Sequence, residues 1–174
     1  MVMFVPWAVY VWLLLSSAAV TYDTLYIQLR PETFRYHQYE WKFEPYQVYQ
    51  FFDTLKINMD DRFLLIQSYL NVAEVALLLL ALLLSLLPQR RTKFIAALLI
   101  LVGQAMVFWK TIMYLCYDRP FVTVSVRKLY SIAVVFYYFT IAPFLICPLL
   151  TIRAITKRFT QAILPEPTQK GKTE

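Results

Sequence analysis

The chain has 174 residues, of which 60 % are hydrophobic, 17 % aromatic and only 16 % charged; this is too apolar for a soluble domain and is typical of a small multi-pass membrane protein. The formal charge of +6 does not indicate nucleic-acid binding, because the basic residues lie in short runs beside apolar segments. With two glycines, two cysteines and one histidine, the sequence predicts no phosphate-binding glycine loop, disulfide, metal site or cofactor.

The first apolar stretch predicts a membrane span over residues 4–29. The first charge is Asp23, and no basic n-region or small-residue cleavage site precedes it, which argues against a signal peptide. In a span of this length, Asp23 lies about two turns inside the helix end. If the span ends at Tyr22 instead, Asp23 is a solvated acid at the interface.

Residues 30–62 form a connection of mixed charge with dense aromatic side chains. Aromatic rings with polar edges favour the headgroup level of a bilayer, so we expect this segment to lie at the luminal membrane surface as short helices interrupted at Pro45. It could form a lid over the spans. His37 lies in this segment, and we assign it no role.

Three further apolar stretches predict spans over residues 63–87, 94–117 and 129–152, joined by short connections. The predicted fold is an all-α membrane protein, a four-transmembrane-helix bundle with an aromatic-rich luminal segment. We expect one membrane domain over residues 1–160 and a cytosolic tail over residues 161–174.

Basic residues set the predicted orientation. The turn after the second span and the segment after the fourth lie on the same side, because two spans separate them, and both are rich in Lys and Arg. The positive-inside tendency therefore places both termini in the cytosol. The last residues, Lys170-Gly-Lys172-Thr-Glu174, match the two-lysine pattern that returns proteins to the endoplasmic reticulum. We expect a multi-pass protein of that membrane.

Polar residues inside the spans predict a shared site. Gln67, Asn71 and Glu74 follow i, i+4, i+7 spacing and fall on one stripe of the second span. Counted by helical rise from the luminal end, Glu74 is about 16 Å deep and Lys110 about 10 Å deep. Ionisable residues at such depth line a ligand pathway or pair with each other. The candidate ligand-binding residues are Asp23, Gln67, Asn71, Glu74, Gln104 and Lys110.

Two interpretations of this polar group remain open and can coexist. In the first, Lys110 forms a buried salt bridge with Glu74 or with Asp23 that holds the helices together. In the second, the polar residues line a cavity suited to a lipid or sterol with one hydroxyl, because such sites are mostly apolar with a few placed polar groups. The predicted aromatic walls of that cavity are Trp109, Phe108, Tyr114, Tyr137, Tyr138 and Phe144.

Several fragments occur in the order found in a known family. These are the acids of the first two spans, Leu29-Arg-Pro-Glu32, Asn71-Val-Ala-Glu74, Val102-Gly103-Gln104, and Ala142-Pro143-Phe144-Leu-Ile-Cys-Pro148. Together they resemble the EXPERA superfamily, which includes the emopamil-binding sterol isomerase and the sigma-2 receptor. Most of the fragments are closer to the sigma-2 receptor, and nearly the whole chain takes part in the resemblance.

The resemblance implies a cavity for sterols or cationic amphiphiles in an endoplasmic reticulum membrane protein, with Asp23 and Glu74 at the positions of the family's paired acids. The chain departs from the isomerase pattern, since residues 16–19 contain no His and since Ile141 and Phe144 stand where the isomerase carries Asn and Trp. Sterol isomerisation needs a proton donor and a group that stabilises the carbocation. We therefore expect no catalytic residues.

The expected function is binding of a sterol or related membrane lipid in an intramembrane cavity, in a regulatory or carrier-like role. One alternative is an accessory subunit of a larger membrane complex, with another membrane protein or a second copy in a homodimer as its partner. The other alternative is a sterol double-bond isomerase.

Overall fold

The protein is built from long helices with a shorter helical segment at one end. The computed structural model describes the backbone of residues 5–49, 56, 58–117 and 127–163, and their side chains except those of 48, 49, 127–138 and 163. Within these ranges no strand occurs, in agreement with the predicted all-α class. The helices are α1 (Trp7–Gln28), a 3₁₀ helix (Glu40–Lys42), α2 (Glu44–Tyr49), α3 (Arg62–Leu86), α4 (Arg90–Tyr117) and α5 (Arg127–Ile163).

Four of the described helices are long and apolar enough to cross a membrane: α1, α3, α4 and the Phe139–Ala162 part of α5. The shortest of the four is α1 with 22 residues. At a rise of about 1.5 Å per residue, this length spans a hydrocarbon core of about 30 Å. The protein is therefore compatible with four membrane crossings, as the apolar stretches of the sequence predict.

The end of α1 agrees with the predicted span, whereas the end of α5 differs from it. Helix α1 continues through Asp23 to Gln28, a length that fits the longer of the two predicted spans. The helix stops where Pro31 follows, because proline disfavours the helical conformation of the residue before it. Helix α5 extends to Ile163, beyond the predicted end at residue 152, and both Pro143 and Pro148 lie inside it. Prolines are tolerated in membrane helices when neighbouring groups satisfy the freed carbonyls.

The helices follow one another around the bundle. Helix α3 packs against α1 and α4, α4 packs against α5, and the described residues of α1 and α5 also meet. Phe63 of α3 stacks on Tyr117 of α4 at 4.0 Å between ring centroids, which marks the loop end, where α1 ends and α3 begins. Phe94 of α4 and Phe159 of α5 meet at 5.1 Å and mark the opposite, basic end.

Gly103 allows α3 and α4 to approach closely. A Cβ atom built on Gly103 would lie 2.5 Å from Cδ2 of Leu78 and 3.1 Å from Cδ2 of Leu77. Small residues commonly stand at such contacts in membrane bundles, because helix association there depends on close van der Waals packing. Gly103 therefore contributes the close fit that brings the polar stripe of α3 beside α4.

We expect Gly103→Leu to destabilise the bundle by about 3 kcal/mol or more, because a branched side chain forces the two helices apart. Gly103→Ala should cost less, since the nearest atom is the end of the flexible Leu78 side chain. Thermal unfolding in detergent measures both effects. Val102→Leu places the same leucine side chain at the neighbouring α4 position, which is 52 % exposed, and is the control. Equal melting temperatures for Gly103→Leu and the control would contradict the role of Gly103.

The segment after α1 folds back onto the loop end of the bundle. Its aromatic side chains form a cluster with Tyr22 and Tyr26 of α1, and Tyr26 stacks on Tyr46 at 4.2 Å between ring centroids. Backbone groups add to the contact: the Tyr22 hydroxyl donates to the Lys42 carbonyl at 2.8 Å. The segment contains short helices, as expected, but Pro45 lies in the first turn of α2 and does not interrupt a helix.

Candidate functional site

A cavity of about 310 Å³ lies between the helices near the loop end. Helices α1, α3, α4 and α5 form its sides, and the segment containing α2 closes it toward the loop end. Its walls are mainly apolar, with a minority of polar side chains. The lining residues are Val20, Asp23, Pro45, Tyr46, Lys56, Leu64, Gln67, Asn71, Val107, Lys110, Thr111, Tyr114, Thr140, Ile141 and Phe144.

Lys110 forms the polar centre of one wall. Its ammonium group is ion-paired with the Glu74 carboxylate and donates a hydrogen bond to Oδ1 of Asn71 at 2.5 Å. The Glu74 side chain is only 2 % exposed, whereas that of Lys110 is 14 % exposed and borders the cavity. Of the two partners predicted for Lys110, the structure selects Glu74. The carboxylate lies behind the wall, and the ammonium group lies at its surface.

Helix geometry explains why Glu74 and Lys110 meet although they lie at different levels. The Cα–Cβ bonds of a helix tilt toward its N-terminus. Helix α3 begins at the loop end, so Glu74 points toward that end, whereas Lys110 on the antiparallel α4 points away from it. The two side chains therefore point at each other, and the four-carbon stem of Lys110 covers the remaining distance.

Asp23 lies on the cavity wall but does not pair with Lys110. Its carboxylate is ion-paired with Lys56 and accepts a hydrogen bond from the Tyr46 hydroxyl at 2.6 Å. Both partners come from the segment that covers the loop end. The predicted alternative of an Asp23–Lys110 salt bridge is therefore wrong, because the ammonium group of Lys110 is engaged by α3 and a second lysine reaches Asp23 from outside the spans.

Lys56 was missed by the sequence analysis. It lies in a mixed-charge connection, where a lysine usually faces water, yet it is 7 % exposed and its ammonium group lies 4.9 Å from the centroid of the Tyr46 ring. The one sequence feature that pointed to such a partner was Asp23, an acid near the same end of the bundle that needs a positive charge beside it. Spacing along the chain does not reveal which of several lysines would approach it.

Gln104 is fully buried but does not line the cavity. Its Oε1 accepts a hydrogen bond from Nε1 of Trp12 at 2.9 Å, which ties α4 to α1, and its Nε2 has no hydrogen-bond partner. The Trp12 ring in turn contacts Phe144 of α5 at 5.6 Å between centroids. The sequence analysis expected Gln104 to join the other polar groups at one ligand surface, and this is wrong. Gln104 instead links α4 to α1 in the packing of the bundle.

Gln67 provides an unsatisfied acceptor in the cavity wall. Its Oε1 is buried and has no hydrogen-bond partner, while Gln67 itself is a lining residue. Buried polar atoms in native structures are nearly always hydrogen-bonded, and a buried acceptor without a partner costs about 1–3 kcal/mol. A donor group on a molecule in the cavity would relieve this cost once the side-chain amide of Gln67 turns its Oε1 toward the cavity.

The predicted aromatic walls are present only in part. Tyr114 and Phe144 line the cavity. Trp109 is 62 % exposed and, like Phe108, is not a lining residue. The side chains of Tyr137 and Tyr138 lie outside the described residues, as do Lys170 and Lys172 of the predicted retrieval signal. The walls are completed by aliphatic residues and threonines that the sequence analysis did not single out.

Arg30, just after the end of α1, holds in place the segment between α1 and α3 that covers the cavity, which we call the covering segment. Its guanidinium donates to the carbonyl oxygens of Lys56 at 3.1 Å and Asn58 at 3.0 Å. Burial lowers the pKa of Arg30 below its ordinary value, and the nearby acids Asp61 and Asp23 act in the opposite direction. Arginine nevertheless stays charged at all physiological pH values. Arg30 thus fixes the backbone from which Lys56 reaches Asp23.

The site is a mostly apolar cavity in which the acidic and basic side chains form ion pairs with each other. Each acid has a lysine partner, and Gln67 retains one acceptor without a partner. Within the described ranges, no group of three or more His, Cys, Asp or Glu side chains could hold a metal ion. The arrangement can therefore surround an apolar molecule that carries a hydrogen-bond donor.

Comparisons with known proteins do not assign the chain to a family. No family model matches the sequence, and neither a curated protein nor a solved structure matches it.

Proposed function

We propose that this protein binds a sterol or a related membrane lipid in its intramembrane cavity and acts as a non-catalytic regulator or carrier in the endoplasmic reticulum membrane. The observation that carries the proposal is the unsatisfied Oε1 atom of Gln67 in an otherwise mostly apolar wall. A sterol presents one hydroxyl donor on a rigid apolar body. Its chemistry therefore complements that of the cavity.

The volume of the cavity fits this class of ligand. Ligand sites range from about 300 to 1,000 Å³, and the cavity lies at the lower end of that range. It suits a compact ring system better than a phospholipid with two acyl chains.

A binding role fits the charges better than catalysis. Asp23 and Glu74 are the acids that the EXPERA resemblance assigns to the family's pair, and each is neutralised by a lysine of this chain. A carboxylate held in an ion pair is a poor proton donor toward a sterol double bond. Lys110 also occupies the place that a ligand amine or a carbocation would take beside Glu74.

The proposed orientation places the basic end in the cytosol and the covering aromatic segment in the lumen. The charges of the described connections support it, because Arg90, Arg91 and Lys93 share the basic end with Arg153 and Lys157. The proposed location in the endoplasmic reticulum membrane rests on the resemblance to the EXPERA superfamily.

Lipid extraction from the purified protein, followed by mass spectrometry, tests the proposal directly. We expect a sterol at a ratio close to one per chain, above its level in the surrounding detergent micelles. Recovery of a stoichiometric second polypeptide without any enriched lipid would favour the accessory-subunit alternative. Conversion of a labelled sterol by the purified protein would favour the isomerase alternative.

Gln67→Leu tests the hydroxyl contact itself. We expect wild-type protein to bind cholesterol about fivefold more tightly than its methyl ether, which corresponds to one net hydrogen bond of about 1 kcal/mol. In Gln67→Leu this preference should disappear. Gln28→Leu, at an exposed position near the end of α1, is the matched control and should keep it. If Gln67→Leu also keeps the preference, Gln67 is not the ligand acceptor.

A further inference from the structure

A second, larger depression lies at the basic end, far from the polar cavity. This basic-end groove has a volume of about 730 Å³ and is formed by the beginning of α1, the end of α3 and the beginning of α4. Its surface is almost entirely hydrocarbon. The lining residues are Val5, Tyr10, Leu14, Leu79, Leu82, Leu83, Ser85, Leu86 and Lys93.

The shape of the groove follows the helix axes. It extends from Val5, just before α1, to Leu14 of α1, and on α3 from Leu79 to Leu86; the α3 stretch corresponds to about 10 Å along the helix. The hydroxyl of Ser85 donates to the Leu82 carbonyl at 2.6 Å and leaves little polarity on the groove floor. An extended acyl chain lying parallel to the helices matches this surface.

The charged side chains at the mouth of the groove are basic. Lys93 lines the groove, and Arg90 and Arg91 precede it at exposed positions in the first turn of α4. In the described parts of the bundle, α1 before Asp23, α3 after Glu74, α4 and α5 contain no acidic residue. Basic side chains near a membrane surface attract anionic lipids by about 1 kcal/mol each.

From these features we propose that the basic-end groove binds an anionic phospholipid, with an acyl chain between α1 and α3 and the phosphate beside Lys93. A lysine at this place can lay its apolar stem along the groove and hold its ammonium group at the level of the lipid headgroup. A zwitterionic lipid offers the same chain but no net charge for the basic cluster. This site is separate from the polar cavity and does not depend on the proposed sterol function.

Photoreactive lipids test this site in the full chain. Protein is reconstituted in phosphatidylcholine vesicles that contain equal mole fractions of either phosphatidylserine or phosphatidylcholine with the same photoreactive acyl chain. After illumination, labelled peptides are quantified by mass spectrometry. We expect phosphatidylserine to label peptides from residues 5–14 and 79–86 about fivefold or more above phosphatidylcholine. Equal labelling by the two lipids would overturn the proposal.

Two substitutions separate the groove from general surface charge. Lys93→Gln should lower the phosphatidylserine labelling about fivefold, whereas Arg153→Gln, at an exposed position of α5, should leave it unchanged. Ser85→Phe should obstruct the groove floor with a bulky ring and lower the labelling strongly with all charges intact. Leu80→Phe, on α3 outside the groove, is its control and should label like wild type. Equal loss in Lys93→Gln and Arg153→Gln, or full labelling of Ser85→Phe, would also overturn the proposal.

Discussion

Lys110→Met is expected to destabilise the protein by about 3–5 kcal/mol, because it leaves the buried Glu74 carboxylate without its ion-pair partner. For a chain of this size, the loss corresponds to a fall in melting temperature on the order of 10 °C. Glu74→Gln should cost less. In that variant Lys110 keeps its hydrogen bond to Asn71 and borders the cavity, where water can solvate the ammonium group.

The double variant Glu74→Gln/Lys110→Met provides the control for this prediction. Removing both charges leaves no unpaired ion, so the double variant should be clearly more stable than Lys110→Met alone. Thermal unfolding in detergent, followed by circular dichroism, measures the three variants against wild type. If Lys110→Met melted at the wild-type temperature, the ion pair would have no role in holding α3 against α4.

Lys110→Met is also expected to create a site for cationic amphiphiles. In wild-type protein the ammonium group of Lys110 occupies the place beside Glu74 that a ligand amine would take. Lys110→Met opens that place and leaves a carboxylate behind the cavity wall. We expect the affinity for a cationic sterol-like amine to rise at least tenfold, because attraction between opposite charges is strong in a low-dielectric site.

A neutral sterol should bind Lys110→Met and wild type with similar affinity, because it carries no charge that could interact with the Lys110 ammonium group or the Glu74 carboxylate. The double variant Glu74→Gln/Lys110→Met has the same cavity shape without the carboxylate and should lose the gain for amines. Competition against a labelled neutral sterol measures all three proteins in parallel. Equal amine affinities in wild type and Lys110→Met would show that Glu74 is not accessible from the cavity.

Local sequence patterns were reliable for features within one helix. The i, i+4, i+7 spacing of Gln67, Asn71 and Glu74 predicts one stripe, and the structure has all three on the same side of α3, facing the cavity or its wall. The helix-wide apolar runs predict the spans. These features depend on the helical period and on hydropathy, which are properties of neighbouring residues along the chain.

Contacts between elements were less predictable. Asp23 takes its partner from the covering segment instead of from α4, and Gln104 bonds to Trp12 instead of facing the cavity. Each outcome depends on which helices are adjacent and on how the segment after α1 folds back. By depth alone, either Glu74 or Asp23 could pair with Lys110, so helical rise could not choose between the two acids.

By itself, the sequence determined that the described part of this chain is helical and includes four segments able to cross a membrane, because hydrophobicity and helical period are local properties. It also determined which polar side chains had to avoid lipid, since isolated charges are costly there. Only the tertiary structure decided which charges neutralise each other and where the cavity lies. Those outcomes require contacts between residues far apart in the chain, and the order of helix packing selects among them.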